Sequence, residues 1–274
     1  MRLAVLGAGD YGTALGGVLA ENGHEVRYYD VKLEKGEGGS LANVSTWAEI
    51  EVLAIPSEAV PSILKELPKN KPLIITTKGF LTERAFLDFK DFMVLSGPGF
   101  AKDIKLKRKT RLTATDERIE ELFRTEYLSF DYTKDRRGVL MCGGLKNVYA
   151  ILGGFLGVRP EKAGYEEFID EVFGERREIL VLNGAEGETV DLECGRGDLV
   201  LTCALPSRNY EFGLNLRRDW SDKDNGDSSI QTKMVKLNKT VEGVSAIKRL
   251  REGELKISEG AKKLKEAMRI TELG

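Results

Sequence analysis

Histidine is almost missing from this chain: His24 is the single one in 274 residues. A Ser-His-Asp triad, a His-rich zinc site and an HExxH helix are excluded with it. Any acid–base group must then be a lysine or a carboxylate. Cysteine is nearly as sparse. Cys142, Cys194 and Cys203 share no metal-ligand spacing, so no metal is expected. Their odd number suits free thiols in a reducing cytoplasm better than a disulfide framework. An excess of one charge is also lacking, since 42 basic against 44 acidic residues leave a net charge of -2. That balance argues against nucleic acid or an anionic membrane as the main partner. The opening MRLAVLGAG lacks the small-residue cleavage pattern of a signal peptide, and its apolar run is too short to span a bilayer. What is present suffices for a core: 41% of residues are hydrophobic, and the length suits two packed domains or one large one.

Leu3–Leu6 reads as a buried strand that runs into Gly7-Ala8-Gly9-Asp10-Tyr11-Gly12. Small and apolar residues from Thr13 to Leu19 then read as a helix, and Val26–Tyr29 as a second strand that ends at Asp30. This is a βαβ opening with GxGxxG in its structural context. Gly7 allows the tight turn, Gly9 lets the backbone approach a diphosphate, and Gly12 lets helix and strand pack closely. The helix N-terminus presents free N–H groups and a positive dipole end to that diphosphate. Asp30 stands where a carboxylate accepts hydrogen bonds from the adenosine ribose and repels a 2′-phosphate. NAD is therefore favoured over NADP, although Lys32 and Lys35 nearby soften the preference.

Further strand-like runs are Val52–Ile55, Leu73–Thr77 and Phe92–Leu95, with weaker ones at Arg111–Thr115 and Leu128–Tyr132. Their alternation with helical stretches predicts an α/β fold, a Rossmann-type, doubly wound and mainly parallel sheet. Ligands bind such sheets at the carboxyl ends of strands. The IPS, TTKG and SGPG segments fall there and are candidates to line one crevice.

The character changes near Gly138. Residues 138–158 read GVLMCGGLKNVYAILGGFLGV, with Lys146 the only charge. Its glycines and central Lys-Asn pair argue against a membrane span, so a buried helix at a domain junction is expected. A lysine inside it either snorkels or pairs with a carboxylate, or else it has a function. Downstream, Gly197-Asp198 reads as a helix start with Asp198 as cap, and Thr202 lies one turn on. Ser207-Arg208-Asn209 can hold an oxyanion. Residues 217–239 are polar and read as an exposed loop, and the stretch from Val241 reads as helix.

Taken in order, VLGAGDYGTALG, NGHEV, AIPSEAV, TTKGF, LSGPGFAKDI, GVLMCGGLKNVYAI, GRGDLVLTC, SRNYEFG and TVEGV, spread over about residues 3–244, resemble the NAD(P)-dependent glycerol-3-phosphate dehydrogenase family. The resemblance implies a dinucleotide-binding Rossmann domain over 1–136 and an all-helical substrate and catalytic domain over 137–274. It implies interconversion of dihydroxyacetone phosphate and sn-glycerol 3-phosphate by hydride transfer with NAD, NADP being the alternative cofactor. Lys146 falls on the family's proton donor and acceptor, with Lys78 and Asp198 in the catalytic group. Lys78, Gly97, Asn147, Thr202, Ser207, Arg208 and Asn209 fall around the substrate. Gly7, Gly9, Asp10, Tyr11, Gly12, Asp30, Pro56, Lys78, Ala101, Arg208 and Glu242 fall at the cofactor.

The partner implied is a small phosphorylated substrate, with a homodimer left open. Departures from the family pattern lie chiefly on the substrate side. Gly99 stands where Ser or Thr is usual, the segment after Asp30 is shortened, and residues 157–193 match poorly. Two alternatives stand beside this reading. One is a related Rossmann/helical reductase of another small keto acid, against which the Ser207-Arg208-Asn209 cluster argues. The other is a dinucleotide-binding protein without catalysis, against which the retained charged residues argue.

Overall fold

A computed structural model describes residues 1–32, 39–79, 81–204, 207–221 and 241–271, without the side chains of 219–221. The chain divides into two compact units, Met1–Leu140 and Met141–Gly274.

The first unit is built on short apolar runs. β1 (Arg2–Leu6), β2 (Glu25–Tyr29), β3 (Ile50–Leu53), β4 (Pro72–Ile75), β5 (Asp91–Ser96), β6 (Thr110–Ala114) and β7 (Leu128–Tyr132) form one sheet of order β2-β1-β3-β4-β5-β6-β7. All neighbours are parallel except β5 and β6. The central strands are buried along their length, which is why they read as unbroken apolar runs. Register is fixed by apolar pairs such as Leu3 beside Val26 and Val5 beside Val52. The helices are α1 (Asp10–Glu21), α2 (Leu41–Trp47), α3 (Val60–Glu66), α4 (Ala101–Lys105) and α5 (Arg118–Phe123). On α1, Ala14, Leu15, Val18 and Leu19 fall on one stripe and join Leu3, Val5, Val52, Ile74, Met93 and Leu112 in the core. Each such large aliphatic contributes about 1.5–3 kcal/mol by burial.

The polarity of α2 is set by its ends. Ser40 Oγ accepts from Asn43 N at 3.3 Å at the start, and Lys71 Nζ donates to the Ser45 and Ala48 carbonyls at the end. β1 feeds α1 and β2 on one side, and β3 lies on its other side. The loop after β1 therefore sits where the strand order reverses, the usual crevice of a doubly wound sheet.

No strand occurs in the second unit among the described residues. Its helices are α6 (Arg136–Leu156), α7 (Tyr165–Leu182), α8 (Arg196–Thr202), α9 (Arg208–Ser221), α10 (Glu242–Arg251) and α11 (Lys262–Ile270). α6 carries the run around Lys146. It is the one described helix long and apolar enough to cross a membrane, and 89% of its apolar window is buried within the protein. Glycines let α6 and α9 cross at backbone contact: a Cβ on Gly154 would stand 2.0 Å from the Tyr210 carbonyl, and one on Gly213 2.0 Å from the Ile151 carbonyl. Glu175 on α7 holds the start of α11 by accepting from Lys263 N at 2.6 Å and Leu264 N at 3.0 Å, and it also accepts from Tyr149 OH.

The weakly matching 157–193 segment contains an 18-residue helix, α7, as an all-helical second domain predicts. Two expectations need correction. Residues 217–221 continue α9 rather than opening a loop, and 222–239 lie outside the described residues. The C-terminal stretch is two helices, not one. Gly253, at φ +79°, turns the chain after α10, with Gly253 N bonded to the Leu250 carbonyl and Glu254 N to that of Arg249.

Candidate active site

In the first unit the site residues gather around the glycine loop. Gly7 has φ +108°, and a Cβ there would lie 2.4 Å from the Ala54 carbonyl. A Cβ on Gly12 would lie 1.9 Å from the Gly7 carbonyl, so both positions require glycine. Gly9 is different: nothing lies within 4 Å of its Cβ position. Gly9 is also the N-cap of α1 and offers no side chain to cap it. The first turn of a 12-residue helix thus begins beside an open Cβ position and without a side-chain cap, the arrangement a diphosphate needs.

Asp30 follows β2 and is already oriented toward this loop. Its Oδ2 accepts from Ala8 N at 2.9 Å and its Oδ1 from Lys32 N at 3.0 Å. A carboxylate has about four acceptor positions, so capacity for ribose hydroxyls remains. The exposed Asp10 stands 3.7 Å from Lys105 Nζ on α4, the helix that begins at Ala101. Lys35 lies outside the described residues.

The three strand-end segments come together. Thr77 of TTKG donates to the Ile55 carbonyl at 3.0 Å, which joins it to IPS, where Pro56 caps a short 3-10 turn. Lys78 Nζ donates to the Gly97 carbonyl at 2.6 Å and to the Gly99 carbonyl at 3.2 Å, which joins it to SGPG. The same ammonium lies 5.1 Å from the centre of the Tyr11 ring, within cation–π range. Gly99, which has no side chain to offer, thus contributes its carbonyl to Lys78. Phe80 lies outside the described residues.

In the second unit Lys146 is buried on α6 and donates to Asp198 Oδ2 on α8, with side-chain exposures of 4% and 2%. Of the readings the sequence allowed for Lys146, the pairing with a carboxylate is met and the snorkel is not. Asp198 is not the α8 cap that its Gly-Asp context predicts. Gly195 occupies the N-cap, and the Asp198 carboxylate turns inward to the ammonium. Thr202 Oγ donates back to the Asp198 carbonyl at 2.6 Å.

Beside this pair runs an amide chain. Asn147 Nδ2 donates to Glu242 Oε2 at 3.2 Å, Asn209 Nδ2 donates to Asn147 Oδ1 at 2.9 Å, and Asn209 Oδ1 accepts from Gly243 N at 2.9 Å. It ties α6, α9 and α10 together, and Gly243 is a member that the sequence marked only as part of TVEG. Thr240 of that segment lies outside the described residues. Ser207 is buried and accepts from Tyr210 N, whereas Arg208 is exposed in the first turn of α9 and free of ion pairs among the described residues.

Arg176 is the residue sequence reasoning missed. It is fully buried on α7, and it donates to the Gly195 carbonyl at 2.9 Å and the Cys142 carbonyl at 3.3 Å. Its one sequence signal is position: it falls on the buried stripe of Phe168, Ile169, Val172, Glu175, Ile179 and Leu180.

Within each unit, then, the candidate residues cluster, with cofactor-type residues in the first and a buried lysine–carboxylate pair in the second. Residues 2–38 match the model for the NAD-dependent glycerol-3-phosphate dehydrogenase N-terminus, and residues 135–272 match the model for the C-terminus of the same enzymes. The chain belongs to the NAD-dependent glycerol-3-phosphate dehydrogenase family. A glycerol-3-phosphate dehydrogenase (NAD(P)+) of Campylobacter jejuni is 33% identical, over 89% of this chain and 85% of that one. Its counterpart from Pseudomonas fluorescens is 28% identical, over 91% and 83%. The crystal structure of glycerol-3-phosphate dehydrogenase from Coxiella burnetii superposes with a TM-score of 0.81 at 20% identity, over 98% of this chain and 94% of that one, a likeness of fold. The family's two models thus fall on the glycine loop with Asp30, and on the unit that carries Lys146 and Asp198.

Proposed function

We propose that this chain interconverts dihydroxyacetone phosphate and sn-glycerol 3-phosphate with a nicotinamide cofactor, with Lys146 as proton donor and acceptor. The observation that carries the proposal is the buried Lys146–Asp198 pair beside a fully bonded Asn147–Asn209 chain. Asp198 offsets the cost of burying the ammonium, and a ketone reduction needs an acid held in such a water-excluded place.

The residues fit the cofactor. Gly9 at the start of α1 has an open Cβ position, Asp10 and Tyr11 lie in that helix's first turn, Pro56 and Ala101 are assigned to the cofactor with them, and Asp30 retains acceptor capacity for a ribose. Bound there, the reduced nicotinamide supplies a hydride to the substrate's carbonyl carbon. Negative charge then develops on the carbonyl oxygen, where the Lys146 ammonium stabilises it and transfers a proton. Asp198 keeps that ammonium in one orientation. Arg208, with no ion pair among the described residues, has a forked guanidinium in the first turn of a helix, suited to the substrate phosphate. Within the second unit, Asn147, Thr202, Ser207 and Asn209 are assigned to the substrate, Glu242 to the cofactor and Arg208 to both; within the first, Gly97 is assigned to the substrate and Lys78 to both. Asp30 favours NAD over NADP. A dinucleotide-binding domain over 1–136 and a substrate domain over 137–274 are part of the proposal. A cytoplasmic homodimer belongs to the same proposal.

The test is oxidation of NADH and NADPH, side by side, with a panel of phosphorylated and carboxylated ketones. Dihydroxyacetone phosphate should be the best substrate, and NADH the better donor. Preference for a carboxylated ketone would favour a keto-acid reductase instead, and NADH binding without turnover of any ketone would favour a protein that has lost catalysis.

A further inference from the structure

Arg176 carries a charge that packing does not require. Its side chain is 0% exposed, among the largest fully buried in the protein. Burial of a guanidinium has a desolvation cost that only excellent pairing offsets, and an apolar side chain of similar volume often serves stability as well or better. The pairing here is incomplete. No ion pair reaches Arg176 among the described residues, and its Nε has no hydrogen-bond partner. Its neighbour Glu175 is committed elsewhere, to Tyr149 and the start of α11.

The two bonds that Arg176 does make go to two particular carbonyls. One is that of Cys142, which lies one turn before Lys146 on α6. The other is that of Gly195, the N-cap of α8, three residues before Asp198. The fork of one planar guanidinium therefore bridges the backbones of the two helices that present the lysine and the carboxylate. The Gly195 carbonyl also accepts from Leu199 N at 3.2 Å, so the bond from Arg176 acts on the first turn of α8 itself. Both cations also act on one nearby atom. Burial pushes the Cys203 thiol up to about 12, and the charges of Arg176 and Lys146 oppose that shift. Arg176 and Lys146 are thus near enough to act on the same buried thiol, as the bridge between their helices requires.

We infer that Arg176 is a positioning residue for the proposed reaction, fixing α6 against α8 so that Lys146 and Asp198 meet in the productive geometry. The inference rests on the reading of that pair as the acid–base machinery. It does not touch substrate or cofactor, so its loss should show in kcat rather than in binding.

The experiment compares Arg176→Met, Arg176→Lys, Arg177→Met and Lys146→Ala with the wild type in dihydroxyacetone phosphate reduction by NADH. Methionine fills similar volume without the charge. Arg176→Met should fold, bind NADH as the wild type does, keep KM within about twofold and lose about 10- to 100-fold in kcat. Arg176→Lys keeps the charge but not the planar fork, and it should fail to restore kcat. Arg177 is the control, since it is half-exposed and pairs with Asp191 at 2.8 Å, so its variant should retain full activity. A folded Arg176→Met with wild-type kcat, or full recovery in Arg176→Lys, overturns the inference. If Arg176→Met does not fold, Arg176→Lys decides by the same kcat and KM criteria, and loss of folding in both overturns the inference by assigning Arg176 to stability alone. Lys146→Ala separates the two levels. Its retained activity would sink the acid–base reading, whereas an inactive Lys146→Ala beside a fully active Arg176→Met would sink only the role of Arg176.

Discussion

Glu51 lies in the middle of the sheet with no exposed surface, accepts from Ser45 Oγ through one oxygen and, among the described residues, has no hydrogen-bond partner on the other. Burial raises its carboxyl above the ordinary value, and the Ser45 bond and the charges of Lys71 and Lys69 only partly oppose this. The folded state thus prefers the proton more than the unfolded chain does. Stability is greatest below the unfolded value of 4.5 and is lost as pH rises through the higher folded value. Glu51→Gln should therefore gain in Tm on the wild type as pH rises from about 4.5, and a gap independent of pH would contradict this assignment. Asp30 yields a second expectation at this scale. With its carboxylate removed in Asp30→Ala, the ratio of kcat/KM for NADPH over NADH should rise about tenfold, equivalent to ~1.4 kcal/mol. An unchanged ratio would remove Asp30 from cofactor selection. The two residues differ in how visible they are beforehand. Asp30 is legible because it closes a βαβ pattern. Apart from the family resemblance, Asp198 reads only as a polar residue in a helix start, because its partner Lys146 lies 52 positions away in sequence.

Elements follow the same division between local and distant causes. The strands are legible to within a residue or two because continuous apolar runs answer to burial on both faces. β3 is the instructive miss: it is expected at Val52–Ile55 but runs Ile50–Leu53, since pairing with β1 and β4 reaches back over Glu51. α7 is hidden because its exposed face is crowded with charge and Gly174 interrupts it. The crossing of α6 and α9 is a test of close approach. A Cβ on Gly213 would meet main-chain atoms that cannot yield, whereas at Gly174 nothing lies within 4 Å. Gly213→Ala should lower the urea midpoint by a stability loss of about 1–3 kcal/mol, and Gly174→Ala should raise it by about 0.5–1 kcal/mol. Equal effects from the two would contradict the crossing geometry.

For the molecule as a whole, the sparse cysteine content has a direct consequence. Cys142, Cys194 and Cys203 form no disulfide among the described residues, and all three are buried. Since the thiolate is the reactive form and Cys203 is raised to about 12, the native protein should be silent to a thiol reagent near neutral pH. All 3 thiols should titrate after denaturation. Rapid modification of the native chain would show that the helical unit opens. The division into two units, the sheet and most candidate residues are legible from ordered motifs, whereas the amide chain and the carbonyl bridge of Arg176 depend on which helices meet. The acid–base role of Lys146 is the central claim, and one comparison tests it most directly: NADH oxidation driven by dihydroxyacetone phosphate in wild type and Lys146→Ala, with NADH binding measured on the same samples. The expected result is a loss of at least about 10²-fold in kcat with cofactor binding intact. Near-wild-type turnover by a folded Lys146→Ala would contradict it.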